Sequence, residues 1–186
     1  MCGIVGYIGN KTDIKIGLEA LKRLEYRGYD SAGMAVYNPG QKEVSAVKAV
    51  GKIVNLEKKL GQVDLKGMPF LFYTRWATHG GVTELNCHPH TDCKKNIWLV
   101  HNGIIENYQT LKEKLIKRGH KFISETDTEV LPHLIEHYFQ GNLEEAVRKA
   151  LRFVRGTYAL AIISKEDPEK LVLARNSAPL LICLLY

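Results

Sequence analysis

The short apolar runs of this sequence come in blocks, and this constrains its fold more than any other feature. Residues 3–9, 32–37, 43–50, 69–75, 97–101, 157–163 and 170–174 read as strands, several bounded by turn residues such as "NPGQ" and "KEDPEK". A helix capped by Thr12 or Asp13 is expected to run to Arg27, with Ile14, Leu18, Leu21 and Leu24 on its inner side and Gly28 as its stop. Shorter helices are expected around 52–60 and over 107–118, the latter closed by Gly119. "TDTE" places Glu129 three residues after Thr126, the form of a capping box, and starts a helix through about 140. Pro132 inside it predicts a kink or a late start. "NLEE" opens another helix at 142. Strict alternation of strand and helix would signal a parallel sheet. Blocks predict an α+β fold with antiparallel sheet.

The remaining composition excludes several classes. The 186 residues suit one domain with a normal core. No stretch of about 18 residues is apolar throughout, so no membrane span is expected. The first residues lack the basic and long apolar regions of a secretory signal. Cysteines at 2, 87, 93 and 183 are too sparse for a disulfide framework, which predicts a cytoplasmic protein with reduced thiols. The net charge of +6 invites a nucleic-acid reading. Much of that excess lies in "LKEKLIKRGHK", where Leu111, Leu115 and Ile116 recur at helical spacing and the lysines form a solvated face. With no matching aromatic or zinc-finger motif, no nucleic-acid partner is expected. "CHPHTDC" gathers Cys87, His88, His90 and Cys93 within seven residues, but its spacing is not that of a finger or ribbon, and no metal is assigned to it.

Four stretches carry chemistry. The chain opens "MCGIVGYIG", and Cys2 is either a small buried residue or, once Met1 is removed, a first residue with both a thiol and a free α-amine. The reference pKa of such an amine is about 7.7–8.0 and of the thiol about 8.5, so near neutral pH the amine can take the thiol proton and later return it to a leaving amine. "TRWATHG" brings Arg75, suited to a carboxylate, with Trp76, Thr78 and His79 beside it. "HNGIIENY" sets Asn102 and Gly103 at the end of a strand, where a side-chain amide and a backbone N–H can make an oxyanion hole. An ordinary Asn-Gly turn is the other reading. "SETDTEV" puts Asp127 at a helix start, where it either complements the helix dipole or holds an ammonium. A thiol, an oxyanion hole, a cation and an anion together would suit glutamine.

These stretches, with "LEYRGYDSAG" and "HPH", resemble the glutaminase domain of class II glutamine amidotransferases, and within them the branch that aminates fructose 6-phosphate. The resemblance runs from residue 2 to about 182. It implies the N-terminal-nucleophile hydrolase fold, an αββα sandwich of two antiparallel sheets between helix layers. It implies that Cys2 attacks the side-chain amide of L-glutamine, that Asn102 and Gly103 form the oxyanion hole, and that Arg75 and Asp127 hold the substrate's carboxylate and amine. Trp76, Thr78 and His79 would line the pocket, and Arg27 would support the N-terminal residue. Glutamate and ammonia result. In the family a sugar-phosphate isomerase domain uses the ammonia on fructose 6-phosphate, the protein is a homodimer, and no metal or organic cofactor is needed.

Residues 1–186 carry no such isomerase domain. The end, "ARNSAPLLICLLY", departs from the family pattern after Pro179, so the domain is expected to be C-terminally truncated. The alternative is an inactive chain of the same fold that only binds a partner.

Overall fold

The structure is a computed structural model and describes residues 2–77 and 79–184. It contains two four-stranded sheets, each wholly antiparallel. The first joins β1 (Gly3–Tyr7), β2 (Ser31–Asn38), β3 (Glu43–Val50) and β4 (Phe70–Arg75) in the order β1-β4-β2-β3. The second joins β5 (His90–Thr91), β6 (Ile97–Ile105), β7 (Gly156–Ser164) and β8 (Val172–Asn176) in chain order. Helices α1 (Lys15–Lys22) and α2 (Ile53–Leu60) cover the first sheet. Helices α3 (Tyr108–Ile116), α4 (Val130–Tyr138) and α5 (Leu143–Leu151) cover the second. Among the described residues no helix is long and apolar enough to cross a membrane.

Period-two alternation explains why the central strands read as unbroken apolar runs. Successive side chains point to opposite faces, and here both faces are buried. In β4, Phe70 and Phe72 pack under α1 and α2, whereas Leu71 and Tyr73 face the other sheet. In β6, Leu99 packs under the helices and Trp98 and Val100 face inward. Strand β7 repeats the pattern, with Leu160 and Ile162 outward and Ala161 and Ile163 inward. Helix α1 approaches the first sheet closely at Gly17, where a Cβ would lie 2.6 Å from both phenylalanine rings. The αββα sandwich expected from the resemblance is therefore the observed fold.

Three local expectations are corrected. The first helix stops at Lys22, and residues Glu25–Arg27 form a separate 3-10 turn. Glu25 Oε1 accepts from Ile53 N at 2.9 Å, serving an N–H of α2 that no intrahelical carbonyl can reach. A continuous α-helix would swing Glu25 and Arg27 away from their partners. The capping box does not form: Thr126 Oγ1 lies 3.0 Å from Ser124 Oγ and 3.1 Å from His90 Nε2. Glu129 instead accepts from Ile123 N and Ser124 N at 2.9 and 2.6 Å. A 3-10 turn, Asp127–Glu129, precedes α4, and Pro132 falls in the helix's first turn, where its missing N–H costs nothing. The late start is thus the expectation met. At α5 the helix opens at "NLEE" as expected, and Asn142 caps it, accepting from Glu145 N at 3.1 Å.

The third correction concerns β6. It does not end near Asn102 but continues to Ile105, pairing with β7 along nine positions. Asn and Gly each weaken a strand by about 1 kcal/mol at most. The buried anchors on either side, Val100 and Ile105, outweigh that at about 1.5–3 kcal/mol each. Asn102 and Gly103 are therefore held within a sheet rather than on a turn.

Candidate active site

Cys2 lies just before β1, on the edge of the first sheet, half-buried at the mouth of the space between the sheets. Its Sγ accepts from Trp76 N at 3.2 Å, just beyond the end of β4. Its backbone oxygen accepts from Arg27 Nε at 3.0 Å and from Asn102 Nδ2 at 3.2 Å. The first sheet, the 3-10 turn after α1 and the second sheet thus meet on one residue. Asn102 Nδ2 has two hydrogens to donate, so one remains beyond the bond to Cys2. Asn102 Oδ1 is buried and has no hydrogen-bond partner among the described residues.

Gly103 follows with φ +138°, and a Cβ there would stand 2.0 Å from Thr157 O. Only glycine allows β6 to pass β7 at this point. Asp127 is 4% exposed, and its Oδ2 accepts from Ile105 N at 2.8 Å. Arg75, 3% exposed, turns its guanidinium onto the following loop. Nη1 donates to Gly81 O at 3.1 Å, and Nη2 donates to His79 O and to Gly80 O. The far end of that loop is pinned by Asn86 and Glu125. Glu125 Oε2 accepts from Gly81 N at 3.2 Å and from Asn86 Nδ2 at 2.9 Å. Trp76 is half-exposed and meets Tyr29 edge-on, and His79 meets Tyr108 in the same way. Thr78 lies outside the described residues. Cys2, Arg27, Arg75, Trp76, His79, Asn102, Gly103 and Asp127 all line one cavity of about 1640 Å³.

The sequence reading missed the polar layer beneath this cavity. Tyr73 Oη donates to His101 O at 2.7 Å, and its ring packs on His88 at 4.0 Å. Thr128 Oγ1 sits between His101 Nδ1, at 2.9 Å, and His88 Nε2, at 3.2 Å. A single hydroxyl can donate to one ring and accept from the other, which links the Asp127 segment to β6. "HPH" supplies two of the three imidazoles of this layer and "HNG" the third, at sequence distances that give no hint of the contact. The four residues of "CHPHTDC" also do not converge: Cys87 Sγ faces Thr83 O at 3.2 Å, His88 and His90 join the threonines, and Cys93 points elsewhere.

Burial is the largest influence on all three imidazoles and pushes them below the usual histidine range, His88 and His90 well below. The folded chain then binds fewer protons than the unfolded chain below about pH 6.5. Their stabilising effect is complete above that pH and falls as the solution is acidified, by up to about 1.4 kcal/mol per pH unit for each histidine. The denaturant midpoint should therefore drop between pH 7.5 and pH 5.5 at constant m, and His88→Gln should flatten the drop. Equal midpoints at the two pH values would contradict neutral burial.

The glutamine amidotransferase domain family matches residues 82–184, more than half of the chain. This chain belongs to that family. The amidotransferase chain is also 52% identical over 184 residues to the glutamine–fructose-6-phosphate aminotransferase (isomerizing) of Pyrococcus horikoshii, covering 98% of this chain and 30% of the relative. It is 51% identical over 182 residues to the enzyme of the same name from Thermus thermophilus, with the same coverage. The chain thus spans about a third of the length of the curated relatives it matches. Among solved structures, it resembles the glutamine phosphoribosylpyrophosphate amidotransferase of B. subtilis in complex with ADP and GMP, with TM-score 0.74 and 26% identity over 87% of this chain and 35% of that one. A structure described as the allosteric regulatory enzyme of purine biosynthesis gives TM-score 0.75 and 28% identity at the same coverage. The sandwich is thus the N-terminal-nucleophile fold of these amidotransferases.

Proposed function

We propose that this amidotransferase domain hydrolyses L-glutamine to glutamate and ammonia, with Cys2 as nucleophile after removal of Met1. The carrying observation is the convergence on Cys2: Trp76 N on its sulfur, and Arg27 and Asn102 on its carbonyl, at the wall of a cavity that also holds Arg75 and Asp127. The free α-amine takes the thiol proton, and the sulfur attacks the side-chain amide carbon. The developing oxyanion takes the spare hydrogen of Asn102 Nδ2 and the N–H of Gly103. The amine returns its proton to the departing ammonia, leaving a γ-glutamyl thioester that water then cleaves. Asp127 holds the substrate ammonium. Arg75 supplies the charge opposite the α-carboxylate and shapes the loop that carries His79, and Trp76 completes the wall.

Within the longer aminotransferases the ammonia would pass to fructose 6-phosphate in a separate isomerase domain, giving glucosamine 6-phosphate in the cytoplasm from a homodimer. On this reading residues 1–186 are the glutaminase part alone. The test is an assay of the chain, its loss of Met1 verified by intact mass, for glutamate, ammonia and amino sugar with fructose 6-phosphate present. Equal release of glutamate and ammonia without amino sugar is expected. No glutamate from chains that lack Met1 would refute hydrolysis and favour a domain that only binds a partner.

Asp127→Asn separates binding from chemistry. The amide keeps an oxygen for Ile105 N and removes the charge that meets the ammonium. A lost charged hydrogen bond is worth about 1.5–3 kcal/mol, so KM should rise roughly 10- to 150-fold. Turnover should hold, because the ammonium is bound equally in ground and transition states. Arg75→Ala should also raise KM, but it frees three loop carbonyls and so mixes two effects. A fall in turnover at unchanged KM for Asp127→Asn would overturn the assignment.

A further inference from the structure

Away from the cavity, four side chains from three segments turn toward one point. Cys93 comes from the turn between β5 and β6, His120 from the loop after α3, and His133 and Glu136 from one face of α4. Their ligand atoms all lie within 4.8 Å of one another. Cys93 Sγ is 3.9 Å from His120 Nδ1 and 3.5 Å from His133 Nδ1. Glu136 Oε2 is 3.1 Å from His120 Nδ1 and 3.7 Å from His133 Nδ1. With Zn–S near 2.3 Å and Zn–N or Zn–O near 2.0–2.1 Å, a tetrahedral site requires donor separations of roughly 3.3–3.6 Å. The observed edges bracket that range.

We propose that Cys93, His120, His133 and Glu136 form a structural zinc site that ties α4 to the β5–β6 turn and to the loop after α3. Hydrogen bonding alone serves the cluster poorly. Two ring nitrogens approach one carboxylate oxygen, which also faces Cys93 N at 3.4 Å, and the same two nitrogens face the thiol. A cation at the centre would serve all four donors at once. The surroundings also match what orients metal ligands. His133 is 1% exposed, and its Nε2 has no hydrogen-bond partner among the described residues but stands 3.6 Å from Glu129 Oε1. Glu129 thus stands where a small shift would let it take the Nε2–H, the carboxylate–histidine–metal arrangement that leaves Nδ1 to ligate. Lys121 N donates to Cys93 Sγ at 3.3 Å, as a backbone amide does to a metal thiolate. Phe122 packs on the His133 ring at 4.4 Å and shields one side, while Cys93 is exposed and leaves an entry path.

Donor chemistry selects the ion. A thiolate and two imidazoles suit zinc and disfavour magnesium or calcium, which take oxygen ligands. Four protein donors leave no open position, so the role is structural. Its reach is functional nonetheless, because α4 follows directly on Asp127–Glu129, and the ion would brace the segment that carries Asp127.

The probe is cobalt(II), then zinc, added to the full chain after treatment with a chelator. Cys2, with its α-amine, and Cys183 are competing chelators, so the background is Cys2→Ala with Cys183→Ser. One equivalent of cobalt should give the visible bands of a tetrahedral ion and a thiolate charge-transfer band, both removed by one equivalent of zinc, and zinc should raise the melting temperature. Cys93→Ser should abolish the charge-transfer band, and His120→Ala should weaken zinc binding at least 100-fold. Cys93 is exposed and His120 lies on a loop outside any helix or strand, so both variants should keep the far-UV spectrum of the parent. An octahedral spectrum, no uptake, or binding unaffected by both variants would overturn the site.

Discussion

Cys2→Ala should reduce glutamine hydrolysis by on the order of 10⁴-fold or more while leaving the fold in place, since loss of a covalent nucleophile removes the pathway itself. The substitution deletes one sulfur from a half-buried position, and the contacts to the Cys2 carbonyl from Arg27 and Asn102 do not involve it. Thermal unfolding should therefore shift little, and glutamine should still bind. A glutamine-like diazoketone should label the parent chain once, at Cys2, and only where Met1 is gone. The other thiols make that selectivity informative. Cys87 is buried, and burial pushes its thiol up. Cys93 and Cys183 are exposed and open to any unselective alkylating agent. Label on those two, or residual hydrolysis in Cys2→Ala at more than about a hundredth of the parent rate, would remove Cys2 from the mechanism.

Asn102→Ala should lower turnover by roughly 10²–10³, the usual effect of one lost oxyanion donor, with little change in KM. The side chain does a second job, donating to Cys2 O at 3.2 Å, so a misplaced nucleophile must be distinguished from a lost donor. Arg27 Nε still holds that carbonyl at 3.0 Å in the variant. Alkylation of Cys2 by iodoacetamide is a displacement that forms no oxyanion, and its rate should stay within about threefold of the parent. A large fall in that rate would assign Asn102 to positioning alone. A raised KM with intact turnover would assign it to substrate binding.

Much of this site could be read in advance because it is carried by short contiguous stretches. Arg75 and Trp76 lie together at the end of an apolar strand, and Asn102 and Gly103 lie together in another, so neighbours in sequence remain neighbours in the cavity. The errors came where a distant partner outweighed a local preference. Thr126 and Glu129 satisfy the local rule for a capping box, yet Glu129 reaches back to Ile123 N and Ser124 N, and Thr126 turns to His90. Local rules compare one weak bond with another and hold no account of a buried donor arriving from elsewhere in the chain. The metal cluster shows the same limit. The four potential ligands of "CHPHTDC" diverge, whereas Cys93 meets His120, His133 and Glu136, which lie 27 to 43 residues further on.

The sequence by itself determined the strand blocks, the antiparallel α+β class and the chemical identities at the site, because side-chain periodicity and functional-group chemistry are local properties. Tertiary structure alone decided which groups meet. It carried β6 through Asn102 and Gly103, broke the first helix so that Arg27 reaches the Cys2 carbonyl, and turned most of Arg75's donors onto the loop at 79–81. The physical reason is common to all three. Each departs from a local preference worth about 1 kcal/mol or less, and each is repaid by burial or by satisfying a buried polar group, which is worth more and requires residues far apart in the chain.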